Sequence, residues 1–295
     1  MQTWIRANIG KLISKINFIS NTVNHNAIFG GRDLTNVYTV DEMYEMIHSG
    51  DFDDLYVGDY FTVSITTDIY THFVGETFES GTTYYEMSGT INDRVWTATE
   101  DTTPQEGKTY ATKQVKTENV DLMFAAFDYY YNVGDTAFTA HHAVLIPQTA
   151  FATTAKMNPT NTTTGGYYNS DMHQIILPCY AKSIKAALNN HLLSHKTWLP
   201  TALSSAAWYD TELQLMNEVQ LYGTMIMSSG QYSVGIDNKI LPVFNFINNV
   251  NYSRNGAWLR SIINSSNFAR YGSDGNPGSF GASNALSVRP LIIFG

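Results

Sequence analysis

Residues 255–295 decide the fold of this chain, and they read NGAWLRSIINSSNFARYGSDGNPGSFGASNALSVRPLIIFG. Three short apolar runs, each of which carries or adjoins an arginine, alternate with segments made almost wholly of Asn, Ser, Gly and Asp. This alternation predicts a small β-core that presents long ordered loops. The stretch is also rich in Trp, Arg, Tyr, Asn and Ser, which are common in recognition surfaces. We therefore expect a structural core and a candidate binding surface in the same stretch.

The composition of the whole chain is that of a folded, β-rich protein. Its 295 residues are 43% hydrophobic and 15% charged, enough for one large or two ordinary domains. A net charge of -9 without a basic cluster argues against nucleic-acid binding, because that needs Lys and Arg to displace counterions. The single cysteine, Cys179, excludes an internal disulfide and a cysteine-based zinc site. No apolar run reaches the roughly 18 residues of a membrane-spanning helix.

Residues 1–24 carry a heptad pattern that predicts an N-terminal helix. Its β-branched seam favours a coiled coil of three or more strands, so we expect a homo-oligomer, with a trimer favoured. An amphipathic helix packed on its own domain explains the pattern equally well, and a helix at a membrane surface explains it less well. The seam residues, which are the candidate oligomerisation residues, are Ile5, Ile9, Leu12, Ile16, Ile19 and Val23.

Local signals along the chain predict three further helices and an inserted β-hairpin module. Thr39 and Glu42 form a capping box that should start a helix running to about His48. A second helix is expected from about 171 or 178 to 193, and a third after Asp210, ending at Gly223. Residues 66–118 contain short alternating runs divided by turn signals, which predicts a β module inserted between two strands of the main domain.

Several segments resemble a poorly characterised group of phage and gut-bacterial proteins. Trp-Leu-Arg-Ser at 258–261 followed by Val-Arg-Pro at 288–290 is the most specific pair. The other segments that carry the resemblance are 127–132, 134–139, 164–167, 207–210 and 215–218. The resemblance implies an α+β fold similar to a C-type lectin, as in phage tail and head proteins and in the adhesins of diversity-generating retroelements. In that fold a framework holds a shallow face of ligand-contacting side chains.

The resulting domain organisation has three parts. Residues 1–24 form the N-terminal helix, 25–65 together with 119–295 form the C-type-lectin-like domain, and 66–118 form the inserted module. Short antiparallel strands and two to three helices are expected in the main domain.

The sequence carries no catalytic signature, so we predict that the protein is not an enzyme and needs no cofactor. Candidate carboxylate pairs such as Asp210 and Glu212 are better explained by helix caps and turns. The acidic residues of 51–54 lack the spacing of a calcium loop. His141 and His142 are adjacent, so on a strand they would point to opposite faces and could not chelate one metal ion. No metal site is predicted.

Within the closing stretch we separate framework residues from candidate contacts. Trp258, Arg260 and Arg289 are expected to be structural, with the arginines bonded to loop carbonyls that hold the polar segment in shape. Arg270 and Tyr271 could belong to either group. The candidate ligand-binding residues are Asn264, Ser266, Asn267, Arg270, Tyr271, Ser273, Asp274, Asn276, Ser279 and Phe280.

These observations predict a phage virion protein, located in the virion and in contact with other virion proteins. The first hypothesis is a fibre, spike or receptor-binding protein whose closing domain binds a host surface glycan or protein. The alternative is a capsid decoration or head-fibre protein with a purely structural role. In that case the displayed loops should be rigid and should satisfy their own hydrogen bonds.

Overall fold

A computed structural model describes residues 23–87, 95–97, 103–228, 230, 239–248 and 255–295, and for 95–97 the backbone alone. The described chain is mixed α+β, mostly antiparallel sheet with three α-helices, as the sequence predicts. The heptad seam Ile5, Ile9, Leu12, Ile16 and Ile19 lies outside the described residues. Val23, its last member, is half-buried.

The secondary structure falls into fourteen described strands, three α-helices and three short turns of other helical types. The strands are β1 Tyr60–Phe73, β2 Thr83–Met87, β3 Val95–Thr97, β4 Thr109–Phe127, β5 Ala143–Pro147, β6 Thr154–Lys156, β7 His195–Ala202, β8 Ser205–Thr211, β9 Leu213–Leu215, β10 Ala257–Ile262, β11 Asn267–Tyr271, β12 Pro277–Gly281, β13 Ala285–Ser287 and β14 Pro290–Phe294. The helices are α1 Val40–His48, α2 Leu177–Ala187 and α3 Glu218–Tyr222. The short turns are 3-10 turns at His25–Ala27 and Pro242–Asn245 and a π-type turn at Met172–Ile176.

The closing strand β14 lies inside the larger sheet. That sheet has seven strands in the order β3-β2-β4-β5-β14-β9, with β1 paired to β4. Ile292 pairs with Leu145 of β5 on one side and with Leu213 of β9 on the other. Every residue of β14 is buried. A continuous apolar run is the pattern expected of a strand covered on both faces, which explains why the sequence ends in Leu-Ile-Ile-Phe before its last glycine.

Strands β1 and β4 form a long antiparallel ribbon. They pair without a register shift from Tyr60 and Met123 to Phe73 and Tyr110. The predicted module boundaries at 65/66 and 118/119 fall inside these strands. One hydrogen-bonded ladder therefore continues from the main domain into the predicted module. The outer part carries β2 and β3 and has its own aromatic cluster of Phe78, Tyr84 and Tyr110.

The second sheet has five strands in the order β12-β11-β10-β13-β6. Two of the chain's crossings between these sheets are neighbours, one between β5 and β6 and the other between β13 and β14. The amide of Phe151 in the first crossing donates to the carbonyl of Val288 in the second, at 2.9 Å. The two sheets therefore share one core that the closing stretch joins.

The first predicted helix is confirmed. The Thr39 hydroxyl accepts a hydrogen bond from the amide of Glu42, and the Glu42 carboxylate accepts one from the amide of Thr39. These reciprocal bonds satisfy amides that have no partner within the helix. The helix ends at His48 and Gly50 follows with φ 78°.

The second predicted helix is shorter than expected. It opens with the π-type turn, continues as α2 and ends at Ala187 rather than at Leu193. Asn189 and Asn190 adopt left-handed backbone angles, φ 50° and 70°, which Asn tolerates better than most residues and which end a helix.

The prediction that Asp210 caps a third helix is wrong. Residues 205–211 form β8, which pairs with β7, and Leu213–Leu215 pairs with β14, so tertiary pairing overrides the helical pattern. Asn217 caps α3 instead, and its side chain accepts a hydrogen bond from the amide of Gln220 at 2.8 Å. Gly223 ends the helix with φ 77°, as predicted.

Candidate recognition surface

The framework side of the closing stretch is completely buried. Trp258, Arg260 and Arg289 are 0%, 0% and 1% exposed. The indole nitrogen of Trp258 donates to the carbonyl of Ala155 in β6, at 2.8 Å. This bond reaches past β13 from β10 to the edge strand β6, so Trp258 links two strands that are not direct neighbours.

Arg260 connects the two sheets rather than the polar loops. Its Nη1 lies 2.9 Å from the Leu215 carbonyl, 3.0 Å from Oε1 of Gln214 and 3.1 Å from Oε1 of Gln220. These acceptors belong to β9 and α3, whereas the sequence-based expectation placed them in the loops of the polar segment. The difference arises because β10 passes directly behind β9, a long-range proximity that no local pattern reveals.

Arg289 lies where the chain crosses from β13 to β14. Its Nε donates to the carbonyl of Pro147, the last residue of β5, at 2.7 Å. A buried guanidinium needs hydrogen-bond acceptors, because its water is removed on folding. Arg260 and Arg289 therefore both hold the junction of the two sheets.

The polar candidates are divided between two turns at opposite ends of β11. Residues 263–266 join β10 to β11, and residues 272–276 join β11 to β12. The five residues of β11 separate the turns by about 15 Å at roughly 3.3 Å per residue. A single displayed loop, as the sequence suggested, is therefore replaced by two separate turns.

The first turn is held by the Asn264 side chain and by donors from outside the turn. The hydroxyl and amide of Thr163 donate to the carbonyls of Asn264 and Ser265, and the amide of Ala282 donates to that of Ser266. Oδ1 of Asn264 accepts from the amides of Ser266 and Asn267, each at 2.9 Å, and from the Ser266 hydroxyl at 3.1 Å. An Asn side chain that bonds backbone groups two and three residues on fixes the turn in one conformation. Much of the bonding capacity of Asn264 and Ser266 is thus used within the turn.

The second turn is held in the same manner. Oδ1 of Asp274 accepts from the amide of Asn276 at 3.1 Å, and Oδ2 accepts from the Asn276 side chain at 2.7 Å. These bonds, followed by the charge of Arg270, hold the pKa of the Asp274 carboxyl below its usual value. Ser273, Asp274 and Asn276 are all exposed. The second turn is therefore both ordered by its own hydrogen bonds and exposed to solvent.

Tyr271 is removed from the contact candidates by its burial. It is 0% exposed and pairs with Ala257 of β10 and Pro277 of β12 in the middle of the sheet. Its ring lies on the face of β11 opposite to that of Arg270, because successive side chains on a strand alternate. Tyr271 is a core residue in this fold.

Arg270 and Phe280 lie on one face and form the accessible part of the hairpin. Directly opposed residues share a face, and Arg270 pairs with both Trp258 and Gly278. A Cβ on Gly278 would lie 3.3 Å from Cζ of Arg270, so the guanidinium rests over the glycine. Phe280 is 37% exposed, and its ring centroid lies 5.9 Å from that of Trp258. Ser279, one residue away, is half-buried on the other face.

His141 and His142 bond neighbouring protein groups. Nδ1 of His141 lies 2.7 Å from Oδ2 of Asp128, and the His142 ring bonds the Ala140 carbonyl and the Tyr130 amide. Within the described ranges, no group of three or more His, Cys, Asp and Glu side chains is placed to hold a metal ion.

A buried polar network beneath Arg260 was not foreseen. Nε2 of Gln214 lies 2.9–3.0 Å from the Tyr130 hydroxyl, the Thr197 hydroxyl and Nε2 of His195. Burial lowers the pKa of His195 to about 3, with smaller contributions from the charges of His142 and Arg260. The network combines distant strands, and the polar residue Gln214 inside the apolar run of β9 was its only local sign.

Comparison with known proteins gives no relative, since no family model, curated protein or solved structure matches the chain. Among the described residues, no helix is both long enough and apolar enough to cross a membrane.

Proposed function

We propose that this chain is a structural protein of a phage particle, built around a C-type-lectin-like domain and without enzymatic activity. The proposal is supported by the phage-like segments of the sequence and by the mixed α+β architecture in which the closing stretch joins both sheets. The N-terminal heptads supply the means of assembly, as a trimeric coiled coil or by docking on another virion protein.

The side-chain hydrogen bonds within the two turns favour a structural role, as a capsid decoration or head-fibre protein, over ligand recognition. The side chains of Asn264 and Asp274 each accept hydrogen bonds from groups of their own turn. Residues used in this way add order to a displayed surface and have less capacity left for a partner. This is the observation that carries the choice between the two roles.

Mass spectrometry of gradient-purified particles tests the virion role directly. In a phage whose genome encodes this chain, we expect the protein in a fixed copy number per particle. Its absence from intact particles would contradict the proposal. Light scattering of the full chain against a chain lacking residues 1–24 then tests assembly, with a trimer that becomes a monomer as the expected result.

Receptor binding is the second candidate function, and the exposed Phe280 beside Arg270 is the observation that favours it. An aromatic ring and a guanidinium on one face are common anchors of recognition surfaces. A trimer would present three copies and raise weak single-site binding through multivalency. Binding to host cells should then fall in Phe280→Ala and Arg270→Ala and be unchanged in Lys182→Ala, a variant of an exposed lysine on α2.

A further inference from the structure

A cavity lies between the outer part of the β1 strand and the edge of the five-stranded sheet. Its volume is about 200 Å³. The β1 side contributes Tyr70 and His72, and the opposite side contributes Lys156 of β6 and Ala285 of β13. The cavity volume is below the roughly 300 Å³ of the smallest sites for drug-sized molecules, so the cavity suits a ligand with one small ring. The cavity is separate from both turns of the candidate recognition surface.

The polar groups of the cavity include a fixed pair. Nδ1 of His72 lies 3.1 Å from Oδ2 of Asp171, and each side chain is about a quarter exposed, at 23% and 24%. The amide of Asp171 in turn donates to the side chain of the buried Asn158. His72 and Asp171 therefore offer a donor and an acceptor in a set orientation, from two different parts of the chain.

Lys156 adds a positive charge to a cavity whose other charged groups are the paired His72 and Asp171. Its side chain is exposed and forms no ion pair within the described ranges, a state it shares with Lys116, Lys182 and Lys239, whereas Lys108, Lys113, Lys185 and Lys196 each have a carboxylate partner. An ammonium group in this position can accept the carboxylate of a ligand at little cost in desolvation, because it remains in contact with water.

The remaining wall of the cavity combines apolar side chains with the hydroxyl groups of Thr71 and Thr154. Ile175 and Ile176, both more than nine-tenths buried, supply aliphatic surface, and Tyr70 supplies an aromatic ring. A ligand for such a site needs an apolar ring face as well as polar groups. Few polar groups set against an apolar wall is the usual composition of a small-molecule site.

We infer that this cavity binds a small hydroxylated carboxylate with the dimensions of one sugar-acid residue. The carboxylate lies on Lys156, hydroxyl groups bond the His72–Asp171 pair, and the ring packs against Ile175 and Ile176. This goes beyond the proposed function and does not depend on it, since the cavity would bind the ligand whether or not the chain belongs to a virion.

Titration of the full chain with D-glucuronate, and with D-glucose as the neutral counterpart, tests the inference by NMR saturation transfer. We expect glucuronate to bind about five-fold or more tightly than glucose, because only its carboxylate can use Lys156. Lys156→Gln should remove that preference, and Lys182→Gln should leave it intact. Ala285→Trp, an exposed position on the cavity wall, should block both ligands.

Three results would overturn the inference. The first is the absence of saturable glucuronate binding up to roughly 50 mM, a limit of very weak affinity. The second is binding that survives Ala285→Trp, which would place the ligand elsewhere on the protein. The third is a glucuronate preference that is unchanged in Lys156→Gln. Thermal unfolding of each variant checks that the fold is retained. We expect it to be retained, because the side chains of Lys156 and Ala285 are exposed.

Discussion

Arg260 and Arg270 lie on neighbouring strands of one sheet in opposite environments. Arg260 is completely buried and reaches three acceptors on β9 and α3. Arg270 is half-exposed and rests over Gly278, near the carboxylate of Asp274. The first arginine holds the two sheets together, and the second belongs to the displayed hairpin.

This difference shows how the closing stretch separates its two tasks. Polar groups in the interior depend on distant partners, so that any substitution leaves an acceptor unsatisfied. In the turns the side chains of Asn264 and Asp274 bond groups two or three residues away, so their loss has little effect on the core. The turn carbonyls are held separately, by Thr163, Ala282 and Tyr222. Substitutions should therefore cost much at the framework and little at the turns.

The largest effect is expected for Arg260→Met compared with Arg270→Met. The first should lower the free energy of unfolding by about 4 kcal/mol, because three buried acceptors lose a charged donor. The second should cost less than about 0.5 kcal/mol, since the side chain is partly in water. Urea unfolding followed by circular dichroism measures both, and equal costs would refute the division between framework and display.

Tyr271→Ala and Phe280→Ala sharpen the comparison between the two faces of the hairpin. Removal of the buried Tyr271 ring should cost about 3 kcal/mol, because it leaves a cavity in the core. Removal of the Phe280 ring, which is 37% exposed, should cost about 1 kcal/mol or less. The same unfolding experiment applies. A larger loss of unfolding free energy for Phe280→Ala than for Tyr271→Ala would contradict the placement of Tyr271 in the core.

The buried histidines predict a loss of stability on mild acidification. Burial lowers the pKa of His195 to about 3 and that of His173 to about 4, whereas in the unfolded chain both titrate near 6.5. The unfolded state therefore binds more protons below pH 6.5, and stability falls as the pH decreases. These two residues should give a loss of about 2 kcal/mol between pH 6.5 and 5.5. His142, whose pKa is also lowered by burial, increases the loss, and His72, whose pKa is raised by Asp171, reduces it.

His173→Gln provides the matched control for this pH dependence. The variant removes one of three buried histidines whose pKa is lowered, the others being His142 and His195, so the slope of unfolding free energy against pH should fall by about a third. A flat profile in the parent protein between pH 6.5 and 5.5 would contradict the buried placement of these side chains.

The smallest effects compare a helix cap with a turn. Asn217→Ala removes the buried cap of α3 and should cost about 1 kcal/mol. Asn264→Ala removes the bonds of an exposed turn and should cost about 0.5 kcal/mol, because water replaces them. Differential scanning calorimetry resolves the two, and a greater loss at Asn264 would mean that the first turn supports the core.

Local chemistry predicts some of this fold and long-range pairing sets the rest. The capping box of Thr39 and Glu42, the left-handed Gly223 and the apolar closing strand follow from residues a few positions apart. The expected helix after Asp210 is replaced by β8, which pairs with the preceding strand β7, and by β9, which pairs with β14 more than 70 residues away. Several of the predicted contact residues are exposed turn positions. The burial of Tyr271 could not be predicted in the same way, because it depends on which face of β11 packs against the core.

Amide hydrogen exchange at the two turns tests most directly whether the displayed turns are ordered by their own bonds. The account predicts slowed exchange at Ser266, Asn267 and Asn276, whose amides donate to Asn264 and Asp274. In Asn264→Ala, exchange should accelerate at Ser266 and Asn267 while Asn276 is unchanged. Exchange at the rates of an unstructured peptide at all three amides in the parent protein would contradict the account.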